Sequence, residues 1–313
     1  MSVMTTLLLS VVLTVPTGFV VEQDGDTLTL YENGAPVLVY RIQSVPAPEG
    51  VPEHQTRAGY IHPLYDPAGN PLTEDFPDDH YHHRGVFAAW PDVRAGERNL
   101  NVWLLSEARP HVRSWRIDAL DSKQAVLMFN NIWSFDDAPE VAVLEEQFEL
   151  TVHAYQDNKR VIDVVMTYTN RHDSTVGFYG APEENKGYGG LNVRPDSTRE
   201  PLTFTAQPGV VDEDKLYLES PWVDVSYAIS ADDLDGDKSG IAIFQHPQNP
   251  GYPHPGWILR HYGFLGVSWP HTESHLLEPG ASFTLKYRML THMGNADEAG
   301  IETAFVEYES SQQ

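Results

Sequence analysis

The densest concentration of groups able to move protons is the run Phe76-Pro77-Asp78-Asp79-His80-Tyr81-His82-His83-Arg84-Gly85. Of 14 histidines, four lie between His62 and His83. In an extended backbone His80 and His82 share one face and His83 points to the other. Imidazole accepts and donates protons near neutral pH, so such a pair suits general acid/base work. The same spacing suits a metal, with imidazole nitrogens as ligands and Asp78 or Asp79 as carboxylate ligand or support. A third reading has these histidines bracing loops through hydrogen bonds. Arg84 beside them is suited to a carboxylate, on a substrate or on a neighbouring Asp.

Two further segments carry unusual chemistry. The first is Pro182-Glu183-Glu184-Asn185-Lys186-Gly187-Tyr188-Gly189-Gly190-Leu191-Asn192-Val193-Arg194, where acid and base side chains sit in a Gly-rich turn that lets backbone approach a ligand closely. It lacks the spacing of a phosphate-binding loop. The second runs from His246-Pro247 to Gly256-Trp257 and on to Arg260-His261-Tyr262-Gly263. Its prolines and glycines specify a rigid, irregular path, and Trp and Tyr faces are natural platforms for sugar rings. Asp233-Leu234-Asp235-Gly236-Asp237 opens like a calcium loop, but Lys238 stands where that loop needs Gly and Phe244 where it needs Glu. It reads as an acidic turn. No nucleophile elbow, zinc-protease motif or dinucleotide fingerprint occurs, and no cofactor is expected.

The elements that must position these groups read as strands. Short apolar or alternating runs recur at Thr27–Tyr31, Pro36–Arg41, Ala125–Phe129, Glu145–Tyr155, Val161–Thr169, Val223–Ser230, Ile241–Phe244 and Phe283–Leu290. Turn formers separate them: Asn33-Gly34, Asp66-Pro67-Ala68-Gly69, Asp235-Gly236 and Pro279-Gly280. Helical spacing occurs only in the tail, at Ala299, Ile301, Ala304, Phe305 and Tyr308. The pattern predicts an all-β fold, a large antiparallel β-sandwich with a short C-terminal helix. Long loops at about residues 45–85, 180–200 and 245–275 interrupt it, and long loops in compact domains tend to carry function.

The 313 residues carry 20 Lys and Arg against 45 Asp and Glu, a formal charge of −25, and no Cys. Such a chain has no electrostatic footprint for nucleic acid, and thiolate metal sites and Cys nucleophiles are excluded. Only 6 of the basic residues are Lys, and an acidic, Lys-poor surface suits salty surroundings, where salt screens its self-repulsion. Residues 1–21 are uncharged and hold the apolar run Leu7–Val15, the size of a signal-peptide core. No basic residue precedes it and no small-residue cleavage site follows. Residues 1–21 therefore read as a signal segment or as N-terminal strands, with a single sandwich domain over 22–313. Exported and cytoplasmic locations stay equally open, and the run is too short for a membrane span of about 20 residues.

Tyr60-Ile61-His62-Pro63-Leu64, the D-H-x-H-H-R-G piece at 79–85, Lys186 through Arg194, and His246-Pro247 through Trp257 to Tyr262-Gly263 together resemble a bacterial family once labelled methane oxygenase PmoA-like and treated as of unknown function. The resemblance covers roughly residues 20–293. The sequence departs from the family pattern after Lys186, where an acidic residue commonly precedes the Gly pair. The resemblance implies a sandwich of the galactose-mutarotase type, a supersandwich, in proteins that keep company with sugar oxidoreductases. The old label itself implies a membrane subunit with several spanning helices, and this chain has no such segment.

These readings converge on a carbohydrate-active enzyme working on a sugar or sugar derivative as epimerase, lyase, hydratase or hydrolase. His80, His82, Lys186 and His246 are the expected catalytic groups. His62, His83, Arg84, Glu184, Arg194, Trp257 and Arg260 are the expected substrate-binding groups. The alternatives are a non-catalytic carbohydrate-binding sandwich and a His-ligated metal oxygenase.

Overall fold

A computed structural model describes residues 17–180 and 185–312. Alternation of apolar and polar residues along Gln124–Phe135, Leu144–His153, Lys159–Asn170 and Ser282–Met293 places one side of each strand in the core. These four form the centre of a nine-stranded antiparallel sheet. Its spatial order is Gly209–Val211, Thr203–Ala206, Trp222–Ser230, Asp233–Gln245, Ser282–Met293, Lys159–Asn170, Leu144–His153, Gln124–Phe135, Ala108–Leu120. An eight-stranded sheet faces it, in the order Phe19–Asp24, Thr27–Glu32, Ala35–Arg41, Tyr60–Leu64, Val86–Ala89, Gly190–Val193, Phe264–Val267, Trp257–Arg260. Tyr40 of one sheet stacks on Phe129 of the other at 3.5 Å within a shared apolar core. A four-stranded sheet (Ser274–Leu277, Val176–Tyr179, Asp92–Ala95, Arg98–Asn99) packs through Phe178, which meets Trp90 and Phe283. The expected antiparallel β-sandwich is what the chain builds.

The helix Ile301–Ser311 buries Ile301, Phe305 and Tyr308. They pack on Trp222, Ala242, Phe244 and Leu290. Those residues alternate with Val223, Ile241, Ile243 and Met289 of the main core, so the helix covers the outer face of the nine-stranded sheet.

Three readings need correction. The three long loops contain short strands: Tyr60–Leu64 in the first, Gly190–Val193 in the second, Trp257–Arg260 and Phe264–Val267 in the third. Each is too short for a periodic signal, and together they form half of the eight-stranded sheet. The acidic turn assigned to residues 233–237 is the start of Asp233–Gln245, and the chain reverses just before it. The strand Phe19–Asp24 runs across the boundary drawn after residue 21. The apolar run Leu7–Val15 lies outside the described residues.

Candidate functional site

Three neighbouring strands position the site. Val86–Ala89 pairs antiparallel with Gly190–Val193, which pairs antiparallel with Phe264–Val267. Each has four residues and so spans only about 13 Å. Groups from the segments entering all three strands therefore reach one place. A cleft of about 230 Å³ lies there, lined by His80, His82, His83, Pro91, Trp103, Leu104, Lys186, Tyr188 and Tyr262. Each of the three sequence segments that stood out contributes a side chain to it.

The histidine run is not extended. His80 N donates to Pro77 O at 3.1 Å and His83 N to His80 O at 2.9 Å, two successive turns that bring all three rings together. The rings of His80, His83 and Tyr262 lie parallel within 12° of one another, with His80 4.7 Å from His83 and 4.8 Å from Tyr262. His82 stands edge-on to His80 and His83. Trp103 contacts His82, His83, Tyr188 and Phe264 and closes the aromatic side. Gly85 makes the approach possible, since a Cβ there would lie 2.0 Å from Ile61 O.

The electrostatics separate the three histidines. His80 Nδ1 contacts Asp79 Oδ2 at 2.9 Å. Burial alone would raise the Asp79 carboxyl, but the His80 contact and the ion pair with Arg194 outweigh it and hold the group below the usual range. Burial, reinforced by the charges of His80, Arg57 and Arg84, pushes His82 down to about 3. Burial, then His82 and His80, holds His83 well below its ordinary value. Both therefore stay neutral at physiological pH. His83 is 1% exposed, and its buried Nδ1 has no hydrogen-bond partner among the described residues.

Several expected site residues do other work. Arg84 is fully buried, pairs with Asp75 at 3.1 Å and lies 3.2 Å over the Phe76 ring. It took the neighbouring Asp and lines no part of the cleft. Arg194 is 1% exposed and grips Asp79 and Glu74. Trp257 is fully buried, with Nε1 donating to Ser220 O at 2.7 Å, so it offers no stacking face. His246 contacts Gln312 beyond the C-terminal helix, at 2.9 Å, and lines no part of the cleft. His62 binds Thr73 Oγ1 at 3.1 Å and also lies outside the lining. Arg260 touches the cleft only through Tyr188, whose hydroxyl accepts from its Nε at 3.2 Å. Lys186 lines the cleft. Glu184 lies outside the described residues.

Trp103, Tyr188, Tyr262 and Asp79 complete the site. Tyr188, Tyr262 and Asp79 stood in the highlighted segments. Trp103 lay outside them, and no sequence signal pointed to it. Among the described residues no three His, Asp or Glu groups are arranged to hold a metal ion, so the metal-centre alternative draws no support from the geometry.

The fold and cleft define a large antiparallel β-sandwich protein with an imidazole-rich, aromatic-walled pocket at the face of one sheet. Residues 20–306 match the model of a family of unknown function, DUF6807, and the chain belongs to that family. No curated protein matches it in sequence. Among solved structures it is similar to an α-galactosidase from Lactobacillus brevis (9% identity, TM-score 0.43, covering 90% of this chain), spanning 40% of that enzyme's length. It is also similar to a putative aldose 1-epimerase from Klebsiella pneumoniae (10% identity, TM-score 0.38, covering 93% of this chain and 87% of that one). A third is a GalM/aldose epimerase homologue from C. elegans (8% identity, TM-score 0.35, covering 90% and 99%).

Proposed function

We propose that the cleft binds a sugar or sugar derivative and that His80 transfers protons to and from it. The observation that carries this reading is the Asp79–His80 pair at the edge of a concave, aromatic-walled cleft, with the His80 side chain 36% exposed. A carboxylate that fixes an imidazole in place is the usual support of a His general base. Trp103, Tyr188 and Tyr262 supply apolar faces for the C–H side of a sugar ring. The neutral rings of His82 and His83 supply hydrogen bonds to its hydroxyls, which takes His82 from the expected proton carrier to a binding group. Tyr188 accepts from Arg260 Nε at 3.2 Å. Its own proton is then available to a substrate oxygen that gains charge, and Lys186 stands at the same wall. Such a pairing suits epimerisation, elimination or hydrolysis alike.

The test is turnover across a panel of pyranosides and their oxidised forms. His80→Gln is expected to lower kcat by about 10²–10⁴. His246→Gln, remote from the cleft, is expected to leave it unchanged. Equal activity of His80→Gln and the parent on a confirmed substrate would sink the reading. A binding-only protein would instead hold the same sugar with no turnover, and both variants would differ only in affinity.

A further inference from the structure

We infer that Arg194 and Glu74 are positioning residues that act through Asp79 to fix His80 as one tautomer, with its proton on Nδ1 and its Nε2 lone pair turned to the cleft. The catalytic meaning of this device rests on the role proposed above for His80; the tautomer itself does not.

The Asp79–His80 contact joins adjacent residues on a turn, with side chains 40% and 36% exposed. An exposed pair of this kind gains little in water, too little to hold two mobile side chains in one geometry. Arg194 changes that. It is 1% exposed, and its two terminal nitrogens reach both oxygens of Asp79 at 2.8 and 3.2 Å. A planar guanidinium that meets both carboxylate oxygens fixes the carboxylate plane as well as its place. Arg194 Nε donates to Glu74 Oε2 at 3.1 Å, and Ser197 Oγ donates to the same oxygen at 2.8 Å.

The clamp is tied to the sheet by its backbone. Glu74 N donates to Arg194 O at 3.0 Å, Arg194 N to Gly85 O at 2.7 Å and Gly85 N to Glu74 O at 2.9 Å. Three segments are thus locked where Val86–Ala89 begins and Gly190–Val193 ends. Gly263, at φ +106°, leaves the space for Ser197 beside the guanidinium, since a Cβ there would lie 2.9 Å from Ser197 Cβ. The guanidinium lies 5.6 Å from the centre of the Tyr262 ring, and that ring lies parallel to His80. Arg194 therefore meets two of the groups that surround the imidazole, Asp79 at its edge and Tyr262 at one face, while His83 stacks on it as well.

An ionised carboxylate only accepts hydrogen bonds. A neutral His80 held against Asp79 must then carry its proton on Nδ1. Its Nε2 makes no hydrogen bond to the described residues, and it remains the basic atom.

The test needs no substrate. In the full chain labelled with ¹⁵N-histidine, long-range ¹H–¹⁵N spectra at alkaline pH report which ring nitrogen is protonated. His80 is expected as the Nδ1–H form in the parent. Arg194→Gln is expected to shift it toward Nε2–H, and Arg194→Lys, which keeps the charge but loses the fork, to restore it in part. Glu74→Gln is the milder variant that decides if Arg194→Gln does not fold. An Nε2–H form in the parent overturns the inference, and so does an unchanged His80 signal in the folded variants. Loss of turnover in His80→Gln is a separate measurement, so the catalytic reading and the tautomer reading can fail independently.

Discussion

His82 illustrates how a residue that looks like a proton carrier is held neutral by its surroundings. Its pKa falls from the ordinary 6.5 to about 3 because burial beside other imidazoles and buried arginines disfavours the charged form. The unfolded chain binds a proton at His82 below about pH 6.5 and the folded chain does not until about pH 3. The unfolded state is therefore the one favoured as pH drops through that window. Denaturant unfolding is expected to show stability falling from pH 6.5 toward 3, and His82→Gln should flatten that fall. Equal slopes in parent and variant would mean that His82 charges in the folded protein. At Trp257 the structural role is expected to dominate. Trp257→Ala should cost about 3–5 kcal/mol of stability, measured by denaturant, whereas a ligand-facing Trp would cost affinity and little stability.

Strands of four residues explain both why the site exists and why its elements were hard to read. Pairs such as Leu191 with Val267 and Leu191 with Ala88 give no periodic run of their own, yet they align the three chemically unusual segments side by side. The long strand Ala108–Leu120 carries no clear periodic signal for another reason. It is an edge strand, with Ile117 and Leu120 38% and 42% exposed amid charged residues, so its burial pattern never alternates cleanly. The C-terminal helix was legible because Ile301, Phe305 and Tyr308 repeat at helical spacing. It packs on the outer face of the nine-stranded sheet, away from the cleft. Phe305→Ala is therefore expected to cost about 3–5 kcal/mol while leaving ligand binding at the cleft unchanged. Weakened binding in a folded Phe305→Ala protein would show the two faces to be coupled.

The whole molecule carries a charge of −25 over a core held partly by polar groups. Glu146 is the clearest of these. It is 3% exposed, and burial raises its carboxyl against hydrogen bonds donated by Asn131, Tyr168 and Trp133 at 2.7–3.1 Å. Glu146→Ala would take the carboxylate acceptor from three buried donors, and a loss of about 3–5 kcal/mol is expected. The surface charge acts oppositely to these local networks, because like charges repel across the compact state. Thermal unfolding in rising NaCl should therefore give a rising Tm, steepest at low ionic strength where screening changes most. A Tm independent of salt would mean that the acidic groups are already neutralised by local pairs.

The sequence by itself determined the fold class, since alternation in the long central strands is a local consequence of one buried face. It also determined which segments concentrate titratable groups, because such groups in Gly- and Pro-rich runs are visible without contacts. Which of those groups meet was decided only by tertiary structure. Whether an arginine faces a ligand or a carboxylate depends on its neighbours across the sheet: Arg84 found Asp75, and Arg194 found Glu74 and Asp79. Of the histidines expected at the site, His80, His82 and His83 gather through two turns, while His246 lies against the C-terminal helix. Trp103 entered the cleft from a segment with no motif at all. Burial and pairing are properties of the folded surroundings, and a residue's type and spacing do not carry them.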